Sequence, residues 1–66
     1  MNRFRTIAKS GLRLRAGPGT NFEVLGLLPP GTEVVVTSRF DEWTMVDIDE
    51  DGLAEGAVHS GFLAAI

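Results

Sequence analysis

Apolar and polar residues alternate along most of this chain, and glycine and proline interrupt the alternation. In Leu12–Arg15 (LRLR), leucines alternate with arginines, which is typical of a strand with one buried and one wet face. Residues 32–38 (TEVVVTS) are β-branched almost throughout, which also favours a strand. Gly17-Pro18-Gly19 and Pro29-Pro30-Gly31 predict sharp turns, because proline fixes φ and lacks an N–H while glycine permits positive φ.

The whole pattern predicts an all-β chain, since no helical periodicity survives beyond one turn. The predicted strands are 2–8, 12–15, 22–28, 32–38, 43–49 and 57–59. The predicted inward positions are Val34 and Val36. In the fifth strand, Thr44, Val46 and Ile48 share one face, and Trp43 and Met45 share the other. His59–Leu63 predicts one 3₁₀ turn, which an apolar stub ending at Ile66 follows. In so short a chain we expect the strands to roll into a barrel, because a closed sheet protects its edges.

The aromatic residues are numerous for a core of this size. We expect Phe4 and one or two other aromatic side chains to fill the core, because the aliphatic side chains alone would make a thin one. Trp43 either caps the core or stands at the rim of a groove, where tryptophan is a common binding anchor.

Length and charge narrow the classes of protein further. Sixty-six residues allow one domain, and no apolar run approaches the roughly 20 residues that span a bilayer. Residues 1–20 hold five basic residues and no acid, whereas residues 21–66 hold nine carboxylates and only Arg39. Either the two segments form solvated faces that attract each other, or the basic segment forms a stripe that binds an anionic partner. The acidic balance (net charge −3) and the absence of interleaved aromatics argue against nucleic acid.

Four runs, in order, resemble the motifs of bacterial SH3-like (SH3b) domains. They are Leu12–Thr20 (LRLRAGPGT), Gly31–Val36 (GTEVVV), Trp43 with Val46 in a W-x-x-V pattern, and Val58–Leu63 (VHSGFL). The resemblance runs from about Arg5 to Leu63. It implies a small SH3-like β-barrel of five to seven short strands with a 3₁₀ turn near the C-terminus. We therefore expect residues 1–66 to be a single SH3b-like domain that belongs to a longer protein.

The resemblance also implies a non-catalytic binding module that targets a cell-wall hydrolase or related protein to the peptide part of peptidoglycan. The groove candidates are Arg13, Arg15, Asn21, Phe22, Asp41, Glu42 and Trp43. An arginine could bind a peptide carboxylate and Glu42 a peptide amine. The family often has G-W-V near its end, where this chain has Gly56-Ala57-Val58, and this departure favours the alternative of a protein–protein or interdomain module.

The location of the protein depends on whether the domain belongs to a longer exported protein. Met1–Ser10 has no signal-peptide h-region, so we expect either a domain of a longer exported protein, in the cell envelope or secreted, or a cytoplasmic protein. The absence of cysteine leaves the redox compartment open.

Catalysis finds little support in the residue types. The chain has one histidine, His59, and its neighbour Ser60 would point away from it on a strand. We therefore predict that the protein is not an enzyme.

The acidic segment 47–55 carries the remaining candidate chemistry. Asp47, Asp49 and Asp51 followed by Gly52 match the first half of a calcium loop, and Glu55 falls at its ninth position. The twelfth position is Val58, so the closing bidentate glutamate is absent. The predicted calcium ligands are Asp47, Asp49, Asp51 and Glu55. The alternative is a solvated hairpin in which Asp51-Gly52 makes the turn and the acids keep an edge soluble.

Overall fold

The computed structural model describes residues 3–66, and its seven strands form one antiparallel sheet. The elements are β1 (Arg3–Thr6), β2 (Leu12–Arg15), β3 (Val24–Leu28), β4 (Glu33–Phe40), β5 (Trp43–Asp47), β6 (Gly56–His59), a 3₁₀ turn (Ser60–Phe62) and β7 (Leu63–Ala65). The predicted all-β fold and the 3₁₀ turn near the C-terminus are confirmed. The first predicted strand starts at Asn2, which lies outside the described residues. No helix within residues 3–66 is long and apolar enough to cross a membrane.

The predicted roll of short strands is confirmed, but the sheet is not closed. The strand order is β3-β2-β6-β5-β4-β1-β7, which leaves β3 and β7 as edges. Side chains from both edges, Leu28 and Leu63, pack against the same core, so the sheet curls around it. Pro29 and Pro30 follow β3 directly and have no N–H to extend its ladder. The Thr6 hydroxyl donates a hydrogen bond to the carbonyl of Pro29 at 2.8 Å.

Aliphatic side chains fill the core. Its centre consists of Leu12, Leu14, Val34, Val46 and Val58. The inward placement of Val34 and Val36 is confirmed, and Thr44 and Val46, which share one face of β5, are buried as well. Phe4 packs against this cluster, as predicted.

The expectation that further aromatics fill the core is wrong. Phe22, Phe40 and Phe62 are 40%, 51% and 45% exposed, and Trp43 is half-buried outside the core cluster. For Phe40 the cause is a register shift between Val36 and Ser38, which reverses the alternation of faces. Phe40 therefore pairs with Trp43 instead of pointing inward.

The loops correct several predicted boundaries. β4 continues through Phe40, so the link to β5 is only Asp41 and Glu42, and β3 begins at Val24 rather than Phe22. Gly17 and Gly19 do not adopt positive φ. Gly17 is required for another reason: an added Cβ would lie 2.6 Å from two carbon atoms of the Phe22 ring. The Phe22 ring therefore closes over this turn.

Candidate functional site

A row of side chains crosses the outer face of the sheet. Direct pairs in the ladder share a face, and the register pairs Leu27 with Arg13, His59 with Trp43, and Trp43 with Phe40. β2 and β6 are neighbouring strands, but they are paired only at Arg15 and Ala57. Two residues further along the ladder, Arg13 would stand opposite His59, but the strands are no longer paired there. The sheet is therefore open where Arg13 faces His59.

A groove of about 570 Å³ lies at this opening. The β1–β2 loop, residues 8–11, forms one part of its wall. The lining side chains that matter most for recognition are Lys9, Arg13, Leu27, Trp43, His59 and Phe62. A volume of this size is typical of ligand sites, and the mixture of apolar rings and a few polar groups is typical as well.

His59 is held between two aromatic rings. Its ring centroid lies 5.6 Å from that of Trp43 and 5.7 Å from that of Phe62, both in edge-on arrangements. Its Nδ1 accepts a hydrogen bond from the backbone N–H of Gly61 at 3.1 Å, and its Nε2 lies 3.8 Å from Oε2 of Glu42. Ser60 Oγ instead pairs with Thr44 Oγ1 at 2.6 Å, so within residues 3–66 Ser60 and His59 form no hydrogen-bonded pair.

The two candidate arginines differ in what they bind. Arg15 donates to the carbonyls of Thr20 and Phe22, both at 3.1 Å, and so holds the turn between β2 and β3 in place. Arg13 is exposed, and the ion pairs found within residues 3–66 do not include it. Arg3, by contrast, pairs with Glu33 and Glu50. Arg13 is therefore the arginine of the groove whose charge is available to a ligand.

The structure brings some of the predicted groove residues together and leaves others apart. Arg13, Arg15 and Trp43 line the groove, and Glu42 reaches its rim through His59. Three predicted residues, Asn21, Phe22 and Asp41, do not line it. Asn21 and Phe22 lie against Gly19 and Gly17, and Asp41 occupies the β4–β5 link with φ of +55°.

Sequence reasoning missed several residues of the groove, namely the β1–β2 loop, Leu27, His59 and Phe62. The closing run VHSGFL contains His59 and Phe62 and was the available signal for both. The β1–β2 loop offered no signal, because only the rolling of the sheet brings it to the groove.

The acidic loop is organised around the buried carboxylate of Asp47. Its oxygens accept hydrogen bonds from the backbone N–H groups of Glu50 at 2.7 Å, Gly52 at 2.8 Å and Asp51 at 3.4 Å. Burial by itself would raise the pKa of Asp47, but these hydrogen bonds outweigh it and hold the pKa below its ordinary value. They also turn the chain, so β5 ends at Asp47 and not at the predicted Asp49.

Three of the four predicted calcium ligands come together. One oxygen from each of Asp47, Asp51 and Glu55 lies within 4.8 Å of the others, whereas Asp49 is not part of the group. Glu55 is already engaged, because its Oε1 accepts hydrogen bonds from the N–H groups of Ile48 and Asp49. Gly52 has φ of +89°, which agrees with the predicted turn at Asp51-Gly52.

Comparison with known proteins places this geometry in a family. A search of curated proteins found no match to the chain. The family model described as bacterial SH3 domain matches residues 10–64, which include β2 to β6 and every groove residue named above except residues 8 and 9. Because this match covers most of the chain, the protein belongs to the bacterial SH3 domain family, a family of binding domains.

Proposed function

We propose that this domain is a non-catalytic binding module that directs a longer exported protein, such as a cell-wall hydrolase, to the peptide part of peptidoglycan. The observation that carries the proposal is the groove in which Arg13, free of acidic partners within residues 3–66, faces His59 and Trp43. The family match supports the binding role.

The charges at the groove suit a short peptide with unlike ends. Arg13 and Lys9 line the groove and can bind a carboxylate, for which the planar guanidinium is well shaped. Glu42 lies beside His59 and can bind an amine. The Trp43 and Phe62 rings of the groove offer apolar contact to the ligand.

Titration of the ¹⁵N-labelled protein with soluble peptidoglycan-derived peptides tests this proposal. We expect NMR shifts at Arg13, at the Trp43 indole and at His59. Trp43→Ala should weaken binding at least about tenfold, as expected for loss of an aromatic anchor. The control is Leu53→Ala, because Leu53 is exposed on the acidic loop and does not line the groove. Shifts that avoid the groove would refute the proposal.

A specific observation favours a second candidate, a protein–protein or interdomain module. The edge strand β3 exposes Val24, Leu25 and Leu27, and Phe40 is exposed beside Trp43. At the position of the family's G-W-V tryptophan, Ala57 is completely buried next to Arg15 and Met45. A longer fragment of the parent protein in which β3 amides become protected from hydrogen exchange would support this candidate.

A calcium-dependent role of the acidic loop is the third and weakest candidate, because Asp47 and Glu55 already accept backbone N–H groups. It rests on the convergence of Asp47, Asp51 and Glu55. Its test is thermal unfolding with calcium and with EDTA, because a ligand that binds the folded state raises Tm.

A further inference from the structure

We infer that His59 supplies a hydrogen-bond donor of fixed orientation to the groove, and that the groove therefore selects a ligand carboxylate over the corresponding carboxamide. This inference rests on the proposed peptide-binding function and adds the specificity of the same site.

The tautomer of His59 follows from its contact with Gly61. Nδ1 accepts the Gly61 N–H at 3.1 Å, so its lone pair is occupied, and in the neutral ring the proton resides on Nε2. Gly61 permits this approach because it has no side chain. An added Cβ would lie 3.2 Å from Nδ1 and 3.3 Å from Cε1, which is tight for that contact.

The Nε2–H of His59 remains available to a ligand. The imidazole is 40% exposed, and the Trp43 and Phe62 rings on its two sides limit its rotation. The nearest carboxylate oxygen, Oε2 of Glu42, is 3.8 Å from Nε2, which is beyond hydrogen-bond distance.

The other charged or aromatic polar groups of the groove are also donors. Lys9, Arg13 and the Trp43 indole donate and cannot accept, while the hydroxyls of Ser10 and Thr20 can do either. Arg13 and His59 approach the opening from β2 and β6, so a carboxylate placed there would accept from both. A carboxamide would turn an NH₂ group toward one of these donors and would lose the charge-assisted bond.

The experiment compares one peptidoglycan-derived peptide as its C-terminal free acid and as its C-terminal amide. Binding is measured by calorimetry at about pH 8, above the ordinary titration range of imidazole. We expect the wild type to prefer the acid by about tenfold or more, since one charge-assisted bond is worth about that much. His59→Phe keeps a ring between Trp43 and Phe62 but removes the donor, and should reduce the preference several-fold. His59→Gln retains a hydrogen-bond donor and should restore part of the preference for the acid.

The tautomer is tested separately in the free protein. Long-range ¹H–¹⁵N NMR spectra should show the proton of His59 on Nε2, and a proton on Nδ1 would overturn the inference. If both peptides bind in the groove with equal affinity, the inference fails and the proposed function stands. If neither peptide binds, the proposed function fails, and the inference fails with it. An acid preference that His59→Phe leaves unchanged would assign the selectivity to Arg13 and overturn the role of His59.

Discussion

Replacing Gly56 by alanine tests whether the single pairing between β2 and β6 holds the rolled sheet together. An added Cβ would lie 2.5 Å from the carbonyl oxygen of Arg15 and 3.0 Å from Cγ and Cδ1 of Leu14. The first of these atoms is backbone, so the clash cannot be relieved by a side-chain rotation. Gly56 also adjoins Ala57, the one β6 residue paired with β2. The substitution should therefore push apart the two strands that flank the groove.

The expected cost can be worked from these contacts. Overpacking of a well-packed site costs about 1–3 kcal/mol, and each hydrogen bond lost between β2 and β6 costs about 0.5–1.5 kcal/mol. Replacing glycine also restricts the unfolded chain, which offsets about 0.4–1 kcal/mol. The net loss is about 2–3 kcal/mol. That is a large part of the roughly 3–10 kcal/mol expected for a chain of this length at about 0.05–0.15 kcal/mol per residue.

Gly26→Ala is the matched control. Gly26 lies in strand β3, its φ is not positive, and an added Cβ would meet nothing within 4 Å. This variant shares the effect on the unfolded chain but has no clash, so we expect it to gain up to about 1 kcal/mol. The two variants should therefore differ by about 3 kcal/mol.

Urea unfolding followed by the fluorescence of Trp43, the single tryptophan, measures this difference. With a slope of about 1 kcal/mol per molar urea, the two midpoints should lie about 3 M apart. Midpoints that agree within about 0.5 M would show that β2 and β6 are not as close at Gly56 as the structure has them.

Three further predictions concern other parts of the fold. Thr6→Val should lower the free energy of unfolding in urea by about 1–2 kcal/mol, because the buried hydroxyl donates to the carbonyl of Pro29 and accepts from the N–H of Thr32. The control Thr37→Val removes an exposed hydroxyl and should change this free energy by less than about 0.5 kcal/mol. The folded pKa of Asp47 lies below its ordinary value of 3.8, so its contribution is complete above that value and is lost as the pH falls through the folded pKa. The Tm advantage of the wild type over Asp47→Asn should therefore shrink on acidification from about pH 5 to about pH 2, and a constant advantage would contradict this assignment. Millimolar calcium should leave Tm unchanged relative to EDTA, because Asp47 and Glu55 already accept backbone N–H groups; a rise that Asp51→Asn abolishes would establish a site instead.

Local pattern was sufficient wherever the answer depended on neighbours in the chain. Simple alternation separates the two faces of β4 and β5: Val34 is buried as predicted, and Val46 is buried on the face that it shares with Thr44. The same rule failed beyond Val36, because the register shift in β4 is a property of the pairing with β5. Likewise, β5 ends at Asp47 because its carboxylate accepts hydrogen bonds from the backbone N–H groups of the loop that follows. These side-chain bonds compete with continued strand pairing, and strand propensity does not describe that competition.

The sequence by itself determined the all-β class, the turns and the bacterial SH3 motifs, because alternation, proline and glycine act over a few residues. It also marked Arg13 and Trp43 as candidates for recognition. Only the tertiary structure decided that Arg15 donates its hydrogen bonds to the β2–β3 turn, whereas Arg13 does not. It also decided that Arg13 faces His59 across the opening between β2 and β6. The physical reason is that such a juxtaposition depends on how the sheet rolls and where pairing stops, and residues far apart in the chain carry no local record of either.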